Sequence, residues 1–221
     1  MKQIVYSSDY LFSKPIGISN GSLTLIECDN SKADEVIKKY HYSHKATKNR
    51  FKSFEVNSGK GYLQLGYGIR PTMKHTISKA ITKDNYCEFD RMWLSDDLAK
   101  NSESQVIGLL LSYLKSIYSK IKFVITYADE SAGNMGIIYK ATNAIQLGSI
   151  PCDFYILPSG ERIHPVSMYH RHGTRAQGTL NRLYPGIKHI KGQFRQFRFL
   201  YVLSKKYAKE VSREIRSSIS R

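Results

Sequence analysis

The spacing of apolar and polar residues predicts a chain that alternates between strands and helices. Short apolar-rich runs predict strands over Leu23–Cys28, Phe51–Val56, Gly61–Ile69 and Glu88–Leu94. In the last of these, alternation places Phe89, Arg91 and Trp93 on one face and Asp90, Met92 and Leu94 on the other. Apolar positions at helical spacing predict one helix from Ser31 through Tyr40 and another from Val106 to Ile117.

A further strand–helix–strand unit follows. Lys122–Tyr127 is nearly continuous in apolar residues, which is typical of a strand buried on both faces. A helix is predicted from about Met135 to Ile145, ended by Gly148, and another strand begins at Phe154. This succession predicts an α/β fold in which a mixed sheet is flanked by helices and joined by right-handed crossovers. Ligands in such folds bind beyond the carboxyl ends of the strands.

The character of the chain changes after Pro158. Residues 159–192 have few aliphatic side chains, which indicates a long insertion or an arm with one short helix. A final strand is predicted at about residues 193–203, and a basic amphipathic helix over Lys205–Arg221. We therefore expect a catalytic core over residues 1–158. Residues 159–221 would form a basic, aromatic-rich arm together with that final core strand and the C-terminal helix.

Positive charge is concentrated in the arm. The chain carries 34 Lys and Arg against 18 Asp and Glu, a formal net charge of +16. Residues 159–221 supply +11 of it, from 14 basic and 3 acidic side chains. A concentrated basic excess interleaved with aromatic residues is typical of proteins with a polyanionic partner, most often nucleic acid. An exposed basic surface without a dedicated ligand is the alternative.

Composition excludes several classes of protein. The 221 residues are 41% hydrophobic, which argues against a disordered basic tail. Three widely separated cysteines exclude a disulfide scaffold and a cysteine-rich zinc module. No apolar run is long enough to span a bilayer, and the N-terminal sequence has no secretory signal. We therefore expect a reduced, cytoplasmic, globular protein with no membrane partner.

Two clusters of polar residues could carry catalytic chemistry. His41 and His44, at the end of the first predicted helix, could be a metal pair or acid/base groups, or simply polar residues at a helix end. Asp129 follows the buried strand at its carboxyl end, where it could act in catalysis. Asp129 or Ser131 could instead only cap the following helix.

Two further regions could bind anions. Lys100–Ser104 precedes a helix whose backbone amides could hold a phosphate or carboxylate, although Ser102 with Gln105 also fits an ordinary capping box. In the arm, arginines beside aromatic residues supply phosphate contacts and stacking surfaces together, as nucleic-acid binding requires. The candidates for DNA binding there are Arg171, Arg175, Arg182, Arg195 and Arg198.

Five short motifs occur in a fixed order along the core: YHYS (40–43), EFDRMWLSDD (88–97), KNSES (100–104), ITYAD (125–129) and IYKATN (138–143). Together they resemble the Mom DNA-modification proteins of phages, over roughly residues 25–157. The resemblance implies a Gcn5-related N-acyltransferase-like fold. It also implies a transferase that converts adenine in DNA to a form carbamoylmethylated on its exocyclic amine, which blocks host restriction enzymes.

The resemblance also implies site residues. Catalytic roles fall on His41, Tyr42, Asp129 and Tyr139, with Ser104 as a further catalytic candidate and Arg91 as a DNA-binding one. His41, Asp129 and Tyr139 can together ligate iron, the metal implied for the family. Typical N-acyltransferases carry a glycine-rich turn for coenzyme A, and this chain has Lys100, Asn101 and Ser102 in the corresponding loop. Because this loop departs from the glycine-rich turn, either coenzyme A is not bound or it uses the loop in a different way. The donor would be acetyl-coenzyme A or another small molecule.

The leading hypothesis is thus a phage enzyme that modifies adenine in double-stranded DNA. Because a base inside a duplex is out of reach, the enzyme should extrude it, and the arm would stabilise it. Asp129 and His41 are the candidate base or metal ligands. Two alternatives stay open: an acyltransferase with a protein or small-molecule acceptor, and a DNA-binding antirestriction protein without catalysis.

Overall fold

The computed structural model describes residues 1–8, 13–67 and 77–219 of the chain. Residues 68 and 69 of the predicted third strand, and residues 220 and 221 of the predicted last helix, lie outside these ranges. The strands within them are β1 (Gln3–Tyr6), β2 (Pro15–Ser19), β3 (Thr24–Cys28), β4 (Arg50–Val56), β5 (Gly61–Tyr67), β6 (Tyr86–Leu94), β7 (Phe123–Asp129), β8 (Ile145–Ile156), β9 (Arg162–Ile163) and β10 (Lys188–Val202). The helices are α1 (Asn30–Tyr40), α2 (Ser102–Ile117), α3 (Ile137–Ala141), α4 (Pro165–His172), α5 (Gln177–Leu183) and α6 (Lys205–Ile219).

The strands form one mixed sheet, hydrogen-bonded in the order β1-β2-β3-β4-β5-β6-β7-β10-β8-β9. Neighbours from β1 to β6 run antiparallel, whereas β7 runs parallel to β6. A parallel neighbour needs a crossover connection, and α2 supplies it. The predicted mixed α/β sheet flanked by helices is confirmed.

Helices α1 and α2 pack on opposite faces of the central strands. Tyr62 of β5 shares a buried cluster with Ala33 and Ile37 of α1. Phe54 of β4 instead meets Tyr113 of α2, with ring centroids 5.8 Å apart. Tyr62 pairs with the residue that follows Phe54, so the two rings lie on opposite faces.

A β-bulge at Asp90 changes the faces predicted for β6. Phe89 pairs with Leu65 of β5 and Arg91 pairs with Gln64, so one residue of β6 has no partner between them. Because Leu65 and Gln64 are consecutive, they point to opposite faces, and Phe89 and Arg91 do the same. The prediction that Phe89 and Arg91 share a face is therefore wrong, because it assumed a regular strand.

The sheet opens between β6 and β7. Their parallel register comprises the pairs from Tyr86 with Phe123 to Phe89 with Thr126, although both strands continue to Leu94 and Asp129. The Thr126 hydroxyl donates to the Phe89 carbonyl at 2.9 Å, where the pairing ends. The opening lies at the carboxyl ends of both strands, the usual position of ligands in α/β sheets.

The region after β7 differs from its prediction. The helix expected from Met135 to Ile145 is only α3, because Gly136 adopts a left-handed φ of 69° before it and the Thr142 hydroxyl bonds back to the Ile138 carbonyl at its end. Strand β8 begins at Ile145, well before the predicted start at Phe154. Gly148, with a φ of 95°, therefore lies within a strand instead of ending a helix.

The chain forms two compact units. The first comprises residues 1–127, 136–147 and 198–221, and the second comprises residues 128–135 and 148–197. In the first unit, Val211 and Ile215 of α6 are buried with Phe123 and Leu200, which confirms the predicted apolar side of the final helix. The division into a catalytic core and a DNA-holding arm stays a prediction.

The second unit has a core of its own. The sequence predicted one short helix here, but the structure has two, α4 and α5. Six buried apolar residues of this unit form one cluster: Tyr155, Leu157, Ile163, Met168, Leu180 and Ile187. Helices α4 and α5 each contribute one member of this cluster, which is why a stretch with few aliphatic residues still folds. No helix in the described ranges is long and apolar enough to cross a membrane.

Two glycines of the first unit provide a matched test of its packing. A methyl group on Gly17 of β2 would overlap the Leu25 carbonyl oxygen of β3, whereas one on Gly108 of α2 would meet open space. We expect Gly17→Ala to lower the free energy of unfolding by about 1–3 kcal/mol, the usual cost of overpacking. Gly108→Ala should be neutral or stabilising by up to about 1 kcal/mol. Urea denaturation measures both, and equal stabilities for the two variants would contradict the β2–β3 contact.

Candidate active site

A tight turn after α1 positions the first predicted catalytic residue. Helix α1 ends when His41 leaves helical geometry and donates its backbone N–H to the Ile37 carbonyl. His44, with a φ of 47°, closes the turn by donating its N–H to the His41 carbonyl at 2.8 Å. The exposed His44 ring contacts the Lys38 carbonyl through Nδ1 at 2.9 Å. The two histidines therefore flank a turn, and only His41 is buried, with 6% of its surface exposed.

His41 is a neutral imidazole with a defined orientation. Burial, with further contributions from Arg91 and His44, lowers its pKa to about 4. The backbone N–H of Ser43 donates to Nδ1 at 3.1 Å, so the single proton of the neutral ring is on Nε2. A neutral ring with this tautomer offers a hydrogen-bond donor, not a base, at Nε2. This favours a role in stabilising negative charge on a substrate oxygen.

Three further side chains of the first unit gather near His41. Tyr42 is 55% exposed, and its ring lies against that of His41 with centroids 4.2 Å apart. Arg91 is close enough to His41 and Tyr139 to perturb the pKa of each. The Arg91 guanidinium is held by two backbone carbonyls: Nε donates to Lys45 at 2.9 Å and Nη1 donates to Asp90 at 2.7 Å.

Tyr139 is a buried phenol at the opening between β6 and β7. Helix α3 carries its ring into edge contact with Phe89, at 6.3 Å, and into contact with Phe199, at 5.3 Å. Burial raises the pKa of Tyr139, and the neighbouring Thr126 hydroxyl offsets only part of the shift. Tyr139 therefore keeps its proton at neutral pH. His41, Tyr42, Arg91 and Tyr139, separated by up to about a hundred residues in sequence, thus belong to one site.

Asp90 is a partly buried carboxyl group next to Arg91 to which the sequence pattern gave no role. Its Oδ2 lies so close to Gly66 that a methyl group there would overlap it. Burial raises the pKa of Asp90 to about 6, with the Arg91 guanidinium opposing the shift. A carboxyl group that titrates near neutrality is suited to accept a proton from an amine. Its position next to Arg91 in the EFDRMWLSDD motif could have drawn attention to it. The β-bulge that sets the direction of its side chain cannot be predicted from the alternation of apolar and polar residues.

Asp129 belongs to the second unit, where the structure shows the capping role considered for it. Its Oδ1 accepts the backbone N–H of Ser131 at 2.9 Å and the hydroxyl of the same residue at 2.5 Å. These bonds close the short turn Glu130–Ala132 at the end of β7. The catalytic role predicted for Asp129 stays a prediction.

The start of α2 forms a separate concavity in the first unit. Residues 94–96 and 98–103 line a volume of about 260 Å³. Asn101 precedes the helix in left-handed geometry, with a φ of 68°, and makes no side-chain cap. The Ser102 hydroxyl donates to the Ala99 carbonyl at 2.6 Å, so the capping box expected of Ser102 and Gln105 is not formed. Lys100 is exposed, and Ser104 is half-buried in the first turn.

The predicted DNA-binding arginines of the second unit differ in their partners. Arg171 makes a forked pair with Glu161, with nitrogen–oxygen distances of 2.9 and 3.3 Å. Arg195 donates through Nε to the Ser149 hydroxyl at 2.5 Å. Within the described part of this unit, no side-chain partner is found for the exposed Arg175 and Arg182 guanidinium groups. These two are the better placed to meet phosphates.

Arg198, the last predicted DNA-binding arginine, lies in the first unit. It is half-buried near the inner end of β10, and its Nη2 lies 3.5 Å from the Leu147 carbonyl. A half-buried guanidinium has less surface to offer a phosphate than the exposed ones of the second unit.

Comparison with known proteins identifies the family. The profile of the Mom protein family matches residues 22–218. The chain is 33% identical over 173 residues to the methylcarbamoylase Mom of Escherichia phage Mu, covering 76% of this chain and 71% of that protein. The chain belongs to the Mom protein family. The resemblance inferred from the five motifs is therefore confirmed.

Solved structures place this Mom-family fold among the acetyltransferases. A spermidine N-acetyltransferase variant from Vibrio cholerae superposes with a TM-score of 0.50 at 12% identity, covering 86% of this chain and 99% of that one. A ribosomal-protein-S5-alanine acetyltransferase from Vibrio fischeri gives a TM-score of 0.50 at 6% identity, covering 86% and 98%. At such low identity the likeness shows the fold alone, which is the acyltransferase-like fold that was predicted.

Iron gains no support from the side chains predicted to bind it in this Mom-family chain. Tyr139 would bind iron as a phenolate, but burial raises its pKa. Oδ1 of Asp129 already accepts two hydrogen bonds from Ser131. Across residues 1–8, 13–67 and 77–219, no group of three or more His, Cys, Asp or Glu side chains is arranged to hold a metal ion. The iron set stays a prediction, and no chemical step below depends on it.

The low pKa of His41 predicts a pH dependence of stability. An unfolded histidine protonates near its ordinary value of 6.5, whereas folded His41 stays neutral down to about 4. Protonation therefore favours the unfolded state, and stability is lost as the pH falls through this window, by up to about 3 kcal/mol. We expect His41→Gln to remove this loss.

Urea denaturation of the wild type and of His41→Gln between pH 7 and pH 4 measures the loss of stability. The difference between the two proteins separates the contribution of His41 from that of Asp90, which both contain. The raised pKa of Asp90 acts in the opposite direction, because its stabilisation is lost as the pH rises from about 4 to about 6. Parallel pH profiles for the wild type and His41→Gln would contradict a neutral, buried His41.

Proposed function

We propose that this protein is a phage transferase that modifies the exocyclic amine of adenine in DNA, in carbamoylmethyl form, and so protects the DNA from restriction. The observation that carries the proposal is its similarity to a phage methylcarbamoylase along most of the chain. The geometry supports it, because the turn after α1 (His41 and Tyr42), strand β6 (Arg91) and helix α3 (Tyr139) bring these four residues together at the opening of an acetyltransferase-like sheet.

The target adenine reaches this site only after leaving the helix. The exocyclic amine of a paired adenine is hydrogen-bonded inside the duplex, so the enzyme extrudes the base at a cost of a few kcal/mol. An aromatic ring beside the reacting groups offsets this cost by stacking on the extruded base. Tyr42 fits the task, because its exposed ring is held against His41.

The reaction forms one bond from the amine nitrogen to the electrophilic carbon of the donor. The leaving group departs from that carbon, and the nitrogen loses a proton. Nε2–H of His41 and the Arg91 guanidinium stabilise the negative charge that develops on donor oxygens, because both present N–H groups that can donate to an oxygen. Asp90 has a suitable pKa to receive the proton, directly or through water.

The donor delivers a –CH₂–CO–NH₂ unit, so the carbon attacked by the amine is the methylene, which must carry the leaving group, and not the carbonyl of a thioester. A coenzyme A-type or related small molecule is the candidate carrier of that unit. The concavity at the start of α2 supports this assignment, because helix N-termini bind phosphate through their free amides and positive dipole end. Asn101 leaves those amides without a side-chain cap, and Lys100 adds a cation beside them. These residues replace the glycine-rich turn of typical N-acyltransferases.

Mass spectrometry of DNA nucleosides tests the function. DNA from cells that express the protein should contain a modified deoxyadenosine. Tyr139→Phe removes only the buried hydroxyl, and we expect it to reduce modification by about 100-fold, the range for a positioned catalytic group. Tyr6→Phe makes the same change on an exposed strand residue and should have no effect. Unmodified nucleosides from cells that contain the folded wild-type protein would overturn the proposal.

The exposed arginines of the second unit should contribute to DNA affinity. We expect the Arg175→Ala/Arg182→Ala variant to decrease the slope of log affinity against log salt by about 1–2 units, because each phosphate contact contributes roughly 0.9. Lys83→Ala/Lys120→Ala removes the same charge from exposed loops of the first unit and serves as the control. Fluorescence anisotropy with a duplex oligonucleotide measures the slopes. Equal slopes for the two variants would exclude a direct phosphate contact by these arginines.

A further inference from the structure

The stretch from the last turn of α1 through the following turn into β4 is basic, aromatic and without acidic residues. Residues 36–54 contain six Lys and Arg and no Asp or Glu. This stretch surrounds His41 in the chain, yet the charge excess that suggested DNA binding lies in the last 63 residues. This short stretch is therefore much more basic than residues 1–158 as a whole, whose net charge is only +5.

Half of these cations are already paired. Arg50 bonds Asp34, Lys52 bonds Glu27 at 2.7 Å, and Lys38 lies 4.0 Å from Asp34. The salt bridges of the described residues leave the other three without a carboxylate partner: Lys39, Lys45 and Lys48. All three are exposed. The ammonium groups of Lys45 and Lys48 are free to meet a polyanion, whereas that of Lys39 lies over the Tyr40 ring, 4.8 Å from its centroid, and must leave the ring to do so.

An exposed aromatic ring follows Lys39 in the chain and lies beneath its ammonium group. Tyr40 is 49% exposed and stacks on Trp93, with ring centroids 4.9 Å apart and an interplanar angle of 20°. Trp93 is fixed because it packs against the buried cluster of Ala33, Ile37 and Tyr62. An exposed ring on a rigid aromatic support is a suitable platform for a nucleotide base. The ring is already held in place, so little conformational entropy is lost when a base stacks on it.

This surface adjoins the candidate active site directly. The Lys45 carbonyl accepts the hydrogen bond from Nε of Arg91 at 2.9 Å. Tyr40 is followed in the chain by His41, whose ring contacts that of Tyr42. Any strand bound by these lysines would therefore pass beside the groups that act on the adenine.

We propose that Lys39, Tyr40, Lys45 and Lys48, the lysine–tyrosine surface, bind the DNA strand beside the target adenine. The lysines contact phosphates, and Tyr40 stacks on an unpaired base adjacent to the extruded one. This proposal rests on the proposed function and deepens it. It assigns part of the DNA contact to the unit that holds His41 and Arg91, in addition to the C-terminal arm.

Salt-dependent binding tests the lysines. We expect Lys39→Ala/Lys45→Ala/Lys48→Ala to decrease the slope of log affinity against log salt by about 2–3 units, at roughly 0.9 per phosphate lost. The control Lys83→Ala/Lys115→Ala/Lys120→Ala removes the same charge from exposed positions outside the surface. If the two triple variants show the same slope, the lysines act only through net charge and the proposal fails.

Trp93, the one tryptophan of the chain, reports on the stacking. Single-stranded oligonucleotides should quench its fluorescence, because a base on Tyr40 changes the environment of the ring beneath it. Tyr40→Phe should retain the quenching, and Tyr40→Ala should weaken binding by roughly tenfold, the value of one base stack. Equal affinity for Tyr40→Ala and wild type would overturn the stacking role.

These measurements do not require modification activity, so the two proposals can fail separately. Modified nucleosides together with unchanged binding by the lysine variant would leave the function intact and overturn the surface. Altered binding without any modified nucleoside would do the reverse.

Discussion

The end of parallel pairing between β6 and β7 is the constraint on which the site depends. While the strands pair, their backbone groups are satisfied by each other; beyond Phe89 and Thr126 they separate. The bulge at Asp90 lies one residue later and turns Arg91 to the face that carries α1. The Tyr139 ring packs against Phe89, the last residue of β6 that pairs with β7. A regular β6 would have placed Arg91 on the same face as Phe89, away from the turn that holds His41.

Electrostatics then divides the roles of these groups. Burial penalises every charge, so the site can retain a cation only where hydrogen bonds compensate it. Arg91 has this compensation from two carbonyls, and its charge adds to the burial that keeps His41 neutral. The same burial raises the pKa values of Asp90 and Tyr139. One permanent cation beside neutral donors is an arrangement suited to an anionic transition state.

The sequence predicted the elements with strong local patterns and missed those set by tertiary contacts. Helix α2 and strand β7 were predicted correctly because their closely spaced apolar residues can be buried together only in a helix and in a central strand, respectively. The bulge at Asp90 and the short α3 have no such signature, because a single unmatched residue and a left-handed Gly136 decide them. Motif resemblance predicted roles for His41, Tyr42, Arg91 and Tyr139, which the structure brings close together. It could not give the tautomer of His41 or the pKa of Asp90, which depend on the three-dimensional surroundings of these side chains.

Net charge is a weak guide to where a polyanion binds, because it ignores which charges are already paired. Residues 1–158 carry a net charge of only +5, from 20 basic and 15 acidic side chains. Some of these acids pair with specific cations, as Asp34 does with Arg50 and Glu27 with Lys52. Lys39, Lys45 and Lys48 have no carboxylate partner among the salt bridges of the described residues. In the second unit, Glu161 pairs with Arg171. Phosphate contacts follow the unpaired, exposed cations, and both units of this protein possess them.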